Sequence, residues 1–451
     1  MEKSSRLSLR LQIRSFKNTF FQVDDLPFKG LLPDSLIEAI HQSGDVRNTV
    51  FTPLITLRAF LFQVLSASGS CKEAVSHILI ERIGLNFRAN SMNTGPYCKA
   101  RRRLLLTHLK EAVTTSGRVL HENASKNWLW KGYRVMLVDG TTLLMPDTAN
   151  NQQSFPQQSV QKPGLGFPIV RLVGLLSLAT GSCVDYELGP YQGKGSGETS
   201  LFALLINTLG QQDLLLADRY YTSYANIALL TRQGTALVFR QQSTVTSDFR
   251  RGQYLGAKDH IISIKKPKKK TVWISEAAWA ELPDELLVRE FSVKGVVYIT
   301  TLMDVRTYPK TSLVELYQQR WQIEVDFRSI KTQLGMEMLR CKTAQMVKKE
   351  IAVHLLAYNL IRANIARAAC LNDREPRQLS FMAAIQLMRN TASLCITLSM
   401  IALGRLIPPL LIAMAQTEIG QRNRPNQPRI IKRRPKGYPL MTKPRCEYAT
   451  V

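Results

Sequence analysis

The sequence predicts a mixed α/β fold, a sheet-centred core carrying a β-rich insertion, with helices before and after it. Three observations support this. Short apolar runs alternate with helical stretches between residues 133 and 240. A block of short alternating segments interrupts that order at 241–308. On either side, apolar residues recur at helical spacing. Apolar residues make up 45% and charged residues 21% of the 451 positions, a mix that excludes wholesale disorder. The formal charge of +26 calls for a polyanionic partner, and nucleic acid is the first expectation.

The first region, 1–125, reads as helical and DNA-binding. Thr52-Pro53 is a helix start, with an N-cap followed by Pro at the first helical position, and Leu54, Leu57, Leu61 and Leu65 follow at helical spacing. Ser70 and Glu73 form a capping-box pattern for a second helix that Gly84 ends. A third begins after Asn93-Thr94-Gly95-Pro96 and ends in Arg101-Arg102-Arg103. Short helices ending in a basic one resemble a helix-turn-helix, which makes Arg101 and Arg102 candidate DNA contacts; a bundle with a solvated basic face is the alternative.

Residues 126–240 form the first part of the core. A strand at 133–138 is expected to end at Asp139, then strands at 168–178 and 183–188 joined by a hairpin-like link, a helix at 198–209, and a short apolar strand ending at Asp218. A helix at 223–233 and a strand at 235–240 complete it. This order makes the early strands antiparallel and joins the later ones by helical crossovers. The insertion, 241–308, reads as strands at 261–264, 271–274, 287–293 and 296–303, with a Lys tract at 265–270 that places Lys268 and Lys269 among the candidate phosphate contacts; a solvated loop is the alternative. Core residues resume at 309–370 with a helix at 312–334. An apolar helical stretch at 378–415 dominates the C-terminal region, 371–420, and a tail at 421–451 is rich in Pro and basic residues.

Seven Cys occur without a C-x-x-C pair, so neither a disulfide scaffold nor a zinc knuckle is expected. The first 20 residues carry five Lys/Arg and no apolar run of signal-peptide length. The apolar stretch at 392–415 is broken by Arg405, Pro408 and Pro409, short of a membrane span. The expected location is a reducing compartment, in solution.

The 312–334 helix is the most informative segment. At ~100° per residue, Tyr317, Arg320, Glu324 and Lys331 fall within an arc of about 60°, flanked by Arg328 and Trp321. Leu316, Ile323, Phe327, Ile330 and Leu334 form an adjacent apolar stripe, and Glu315 and Asp326 fall on the far side, toward solvent. An Arg320–Glu324 surface pair accounts for part of this face but not for its aromatics. Asp139 and Asp218 at strand ends would line a crevice, and a third carboxylate from the packed helix would complete a hard-oxygen site suited to Mg²⁺. For either Asp alone, turn-making or capping is the competing role.

The spacing Tyr317-x-x-Arg320-x-x-x-Glu324-x-x-x-x-x-x-Lys331 resembles the Y-R-E-K signature of the insertion-sequence-four family of DDE transposases. Val138-Asp139-Gly140-Thr141 and Ala217-Asp218-Arg219-Tyr220-Tyr221 are similar to its first two acidic motifs. The resemblance implies an RNase H-like core, with Asp139, Asp218 and Glu324 as the catalytic, metal-binding triad for two Mg²⁺ ions, Mn²⁺ being a substitute. Tyr317, Arg320 and Lys331 would hold phosphates, Trp321 would stack near a flipped base, and Arg219 and Arg328 would lie beside the DNA. The family also uses a Trp in its insertion, for which Trp273 and Trp279 are candidates. The implied activity is cleavage at the terminal inverted repeats of a mobile element and joining of the 3′-hydroxyls to target DNA, through a hairpin. The implied partners are double-stranded DNA and a second copy of the chain, with 378–415 as candidate interface or, equally, ordinary core. The implied location is the bacterial cytoplasm, at the nucleoid. Asp147, Asp185, Glu187, Glu198 and Asp213 are acids of the same domain left without a role. A junction-resolving nuclease and a non-catalytic DNA-binding protein are the competing functions.

Overall fold

Among the described residues, nine strands form one sheet, in the order β3-β2-β1-β4-β5-β9-β8-β7-β6. They are β1 (Arg134–Leu144), β2 (Ile169–Ser177), β3 (Cys183–Pro190), β4 (Asp213–Ala217), β5 (Ala236–Arg240), β6 (Gln253–Gly256), β7 (Asp259–Lys265), β8 (Glu285–Val293) and β9 (Val296–Thr300). This computed structural model describes residues 30–43, 50–84, 86–87, 91–193, 195–397, 400–419, 441–444 and 447. Most of the Pro-rich basic tail lies outside the described residues. Strands β1, β2 and β3 form an antiparallel meander, β4 and β5 add parallel to β1, and helices Glu198–Ala203 and Tyr224–Arg232 make the crossovers. That is the layout of an RNase H-like core.

Two expectations about strands are corrected. β1 does not stop at Asp139; it runs on to Leu144 because β2 pairs with it along its whole length, down to Leu144↔Ile169. Asp139-Gly140 is therefore strand interior and not a turn. The 271–274 segment is not a strand; it forms turns leading to the short helix Glu276–Ala280, whose Ser275 cap accepts from the Ala278 N–H. The insertion's other strands extend the core sheet: β9 pairs antiparallel with β5, and β8, β7 and β6 follow outward. Its anchor is Arg289, fully buried, which donates to both Asp259 oxygens (2.8 and 2.7 Å) and to the Tyr308 carbonyl (2.7 Å) at the entrance to the segment carrying Glu324.

Alternation along β1 and β4 divides the core. Leu137, Leu143, Leu214 and Leu216 face one cluster; Met136, Val138, Leu215 and Ala217 face the other. The first face is covered by N-terminal helices, by the Glu324 segment and by the helix Ala344–Leu371, which is buried along nearly its whole length. The second is covered by the crossover helices. A sheet covered on both faces explains why its central strands read as continuous apolar runs.

The N-terminal helices begin as the sequence indicates. Thr52 Oγ1 accepts from the Ile55 N–H (3.4 Å), and Ser70 Oγ from the Glu73 N–H (3.1 Å). The helix Leu106–Glu122 packs against both Ala344–Leu371 and β3. Its contact with β3 requires Gly117: a Cβ there would overlap the Cys183 carbonyl oxygen and come within 2.8 Å of Val184 Cα. Asn359 ties the three elements together, accepting from the Cys183 N–H (2.8 Å) and donating to the Val113 carbonyl (3.0 Å). The 378–415 stretch is two helices, Phe381–Thr397 and Met400–Gln416, and Phe381, Ala384, Ile385, Leu411 and Met414 join the main core. Among the described residues no helix is long and apolar enough to cross a membrane.

Candidate active site

The parallel register places two acids side by side. Leu137 pairs with Leu216 in β1 and β4; two residues further along each chain stand Asp139 and Asp218, pointing to the same face as those leucines. Asp139 Oδ1 accepts from the Gly140 N–H (2.8 Å). Asp218 caps the turn that follows β4, its Oδ1 accepting from the Tyr220 N–H (2.8 Å). The capping role weighed for a lone strand-end Asp is thus filled by Asp218.

The third acid comes from a composite helical rod. The residues expected as one helix run as Lys310–Gln318 (α), Gln319–Trp321 (3₁₀), Gln322–Arg328 (α) and Ser329–Gln333 (π). Ile323, Phe327 and Ile330 fasten the rod to the core beneath β1. The outward face carries Arg320, which donates to Asp139 Oδ2 (3.2 Å) and to Glu324 Oε1 (3.3 Å). One guanidinium thus spans an acid of the sheet and an acid of the rod. The π turn widens the helix around Lys331, whose Nζ reaches Thr141 Oγ1 at 3.4 Å. Tyr317 stands edge-on to Tyr298 of β9 at 5.1 Å between centroids, and burial pushes its hydroxyl up to about 12.

The electrostatics follow from this convergence. Burial raises the Asp139 carboxyl above the ordinary range; Gly140 and Arg320 oppose the shift, and the Asp218 and Glu324 charges add to it. Burial works against the Arg320 cation, but Tyr317, Asp139, Asp218 and Glu324 together raise its pKa.

Other expected contacts separate into two groups. Trp321 is 56% exposed, and Arg219, Arg328, Arg102, Lys268 and Lys269 are also exposed. Arg101 is corrected: it is 9% exposed, its guanidinium lies over the Phe60 and Tyr97 rings (4.9 Å each) and Nη1 donates to Gln63 Oε1 (3.1 Å), so it is spent inside the bundle. Trp279 is also core, edge-on to Tyr224. Asp326 is corrected too. It is 0% exposed, and its Oδ1 accepts from Arg362 (2.6 Å), Arg377 (2.6 Å) and the Tyr358 hydroxyl (2.9 Å). At Asp326 the rod lies against the Ala344–Leu371 helix, so there the side opposite Glu324 meets protein and not water, while Glu315, earlier on that side, stays exposed.

A family model described as "Transposase DDE domain" matches residues 130–360, half of the chain. The chain belongs to the DDE transposase family. Over 98% of its length this transposase is 26% identical to the transposase InsG for insertion sequence element IS4 of Escherichia coli (strain K12), covering 99% of that protein. The solved piggyBac transposase synaptic complex with hairpin DNA aligns with a TM-score of 0.42 and 10% identity, over 88% of this chain and 85% of that one. The signature residues Tyr317, Arg320, Glu324 and Lys331 thus lie within the matched domain of a transposase, together with Asp139 and Asp218.

Sequence reasoning passed over Glu198. Its side chain lies against Gly140, and its carboxyl is raised first by burial and next by the Asp139 charge. The available signal was its place at the start of the first crossover helix, after the Gly-rich run 193–197.

Proposed function

We propose that this transposase cleaves DNA at the terminal inverted repeats of its element and joins the freed 3′-hydroxyls to target DNA, with Asp139, Asp218 and Glu324 as the catalytic carboxylates. The observation that carries the reading is the Arg320 bridge between Asp139 and Glu324, beside an Asp218 in register with Asp139.

The donor set fits a hard divalent cation, since all three acids offer only carboxylate oxygen. Among the described residues no three acids stand close enough to hold an ion in the present arrangement. Arg320 donates to two of the three acids, so Asp139 and Glu324 already share one cation. Two divalent ions, Mg²⁺ by preference, would there neutralise charge on phosphorus and lower the pKa of an attacking oxygen.

The chain's own groups perform the positioning. The rod holds Tyr317, Arg320 and Lys331 along the edge of the acids, where two cations and a hydroxyl can grip phosphate oxygens on either side of the scissile bond. Arg320 exchanges its carboxylate partners for a phosphate when DNA enters. Trp321 offers an exposed face for an unstacked base. In the first step a water oxygen attacks phosphorus and the 3′-oxygen leaves as a hydroxyl. That hydroxyl then attacks the opposite strand to form a hairpin and, after the hairpin opens, attacks target DNA. The N-terminal helices, through Arg102, and the Lys268–Lys269 loop hold the duplex, with Arg219 and Arg328 at the rim. Two copies bridge the two ends, and the reaction takes place in the cytoplasm, on the nucleoid.

The test is incubation with DNA carrying the element's ends, in Mg²⁺ and in EDTA, alongside Glu324→Ala and Asp139→Ala. Denaturing gels are expected to show Mg²⁺-dependent nicks, hairpins and joined products, all lost in both variants while DNA binding persists. Cleavage surviving in Asp139→Ala would overturn the site, and binding without cleavage under any divalent ion would overturn the activity.

A further inference from the structure

We propose that Glu198 is a fourth carboxylate ligand of the metal centre, entering from the opposite face of the sheet through a notch at Gly140. The inference rests on the centre proposed above. In β1, Asp139 points to the face of Leu137, whereas Gly140 points to the face of Met136 and Val138, beneath the crossover helices. Any side chain at 140 would close that face. A Cβ there would lie 2.7 Å from both Cγ and Oε1 of Glu198, so glycine is what allows the carboxylate to lie against β1 immediately beside Asp139. Three acids of the sheet region therefore influence one another: Glu198 feels the Asp139 and Asp218 charges. Asp139 and Asp218 come from one face, and Glu198 from the other.

A second observation points to a ligand at this place. Tyr221 is fully buried, and its hydroxyl faces Glu198, near enough to favour the charged carboxylate, yet among the described residues it makes no hydrogen bond of full geometry. Arg171 Nε, 3.9 Å from Glu198 Oε1, is likewise buried with no hydrogen-bond partner among the described residues. Buried polar atoms of this kind are uncommon unless water or an ion completes the site. A tyrosine hydroxyl can accept from an ion's water while donating to a carboxylate, which matches its place between these acids. A carboxylate serving only to neutralise Arg171 would explain neither the Tyr221 hydroxyl nor the glycine at 140.

The test measures Mn²⁺ binding to the full chain without DNA, read as loss of the free-ion electron paramagnetic resonance signal. Asp139→Asn, Glu198→Gln and Gly140→Ala are compared with wild type, each after its melting temperature shows a folded protein. All three are expected to weaken Mn²⁺ binding, Glu198→Gln by about tenfold or more. Gly140→Ala retains every carboxylate but pushes away the flexible end of Glu198, so its effect reports position rather than charge. Unchanged affinity in Glu198→Gln and Gly140→Ala, with Asp139→Asn weakened, would overturn the Glu198 assignment and leave the proposed centre standing. Unchanged affinity in all three would overturn both.

Discussion

Asp326→Ala should be among the most damaging substitutions on the rod, although Asp326 neither faces the acids nor reaches DNA. Its Oδ1 receives Arg362, Arg377 and Tyr358, and the side chain has no exposure. Removing it leaves the Arg362 guanidinium, 4% exposed, and much of Arg377 without an anion in a low-dielectric setting. Breaking a buried pair from one side costs about 3–5 kcal/mol, because the desolvation of the remaining charge is no longer offset. Unfolding entropy near ~2.1 cal/mol/K per residue gives about 0.9 kcal/mol/K for a chain of 451 residues. The expected loss is therefore roughly 3–5 °C in melting temperature if the chain unfolds as one unit, and more if the C-terminal helices separate first. Hydrogen exchange should show faster exchange in the rod and in Ala344–Leu371, the two elements that Asp326 joins. Glu315→Ala is the control: Glu315 is exposed on the same rod and should shift the melting temperature by under about 1 °C. Equal, small effects from both variants would refute the reasoning and restore the solvent-facing placement that helical phase alone assigns.

Further outcomes are expected elsewhere. Gly117→Ala should destabilise the transposase severely or prevent folding, since its Cβ meets β3 backbone, which cannot rotate away; soluble yield and urea midpoint read this. His77, stacked on Phe62 at 3.7 Å, has its pKa lowered to about 4 by burial and then by Arg58. The unfolded chain binds that proton near 6.5, so stability is whole above that pH and falls as pH drops toward 4, by up to about 3 kcal/mol. His77→Phe should flatten the urea midpoint over that window. Arg101→Ala should lower the melting temperature through lost packing, whereas Arg102→Ala should weaken DNA binding with stability intact. Lys331→Ala should reduce the slope of log affinity for DNA ends against log salt by about 0.9; an unchanged slope would remove Lys331 from the phosphate contacts.

The candidate site was unusually legible because its chemistry is concentrated in one helical segment. Tyr317, Arg320, Glu324 and Lys331 are local in sequence, so helical periodicity could bring them to one face before any tertiary contact was known. Even the π turn, which periodicity does not contain, leaves Lys331 within reach of Thr141. The strand acids were found as runs of apolar residues ending in Asp, although β1 continues past its Asp, because what ends there is the pairing with β4 and not the strand itself.

The sequence by itself determined the alternation of strands and helices, the helix starts at Thr52 and Ser70, and the shared face of the rod. Each depends on residues close along the chain, where backbone geometry and capping operate. Tertiary structure alone decided three things: that Asp326 is buried, that Arg101 is enclosed, and that Glu198 comes to lie beside Asp139. Periodicity tells which residues share a face but not what covers that face. The cover over Asp326 comes from Arg362 and Arg377, over 30 positions away. The approach of Glu198 depends on the missing side chain at Gly140, on a strand separated from it along the chain by two further strands.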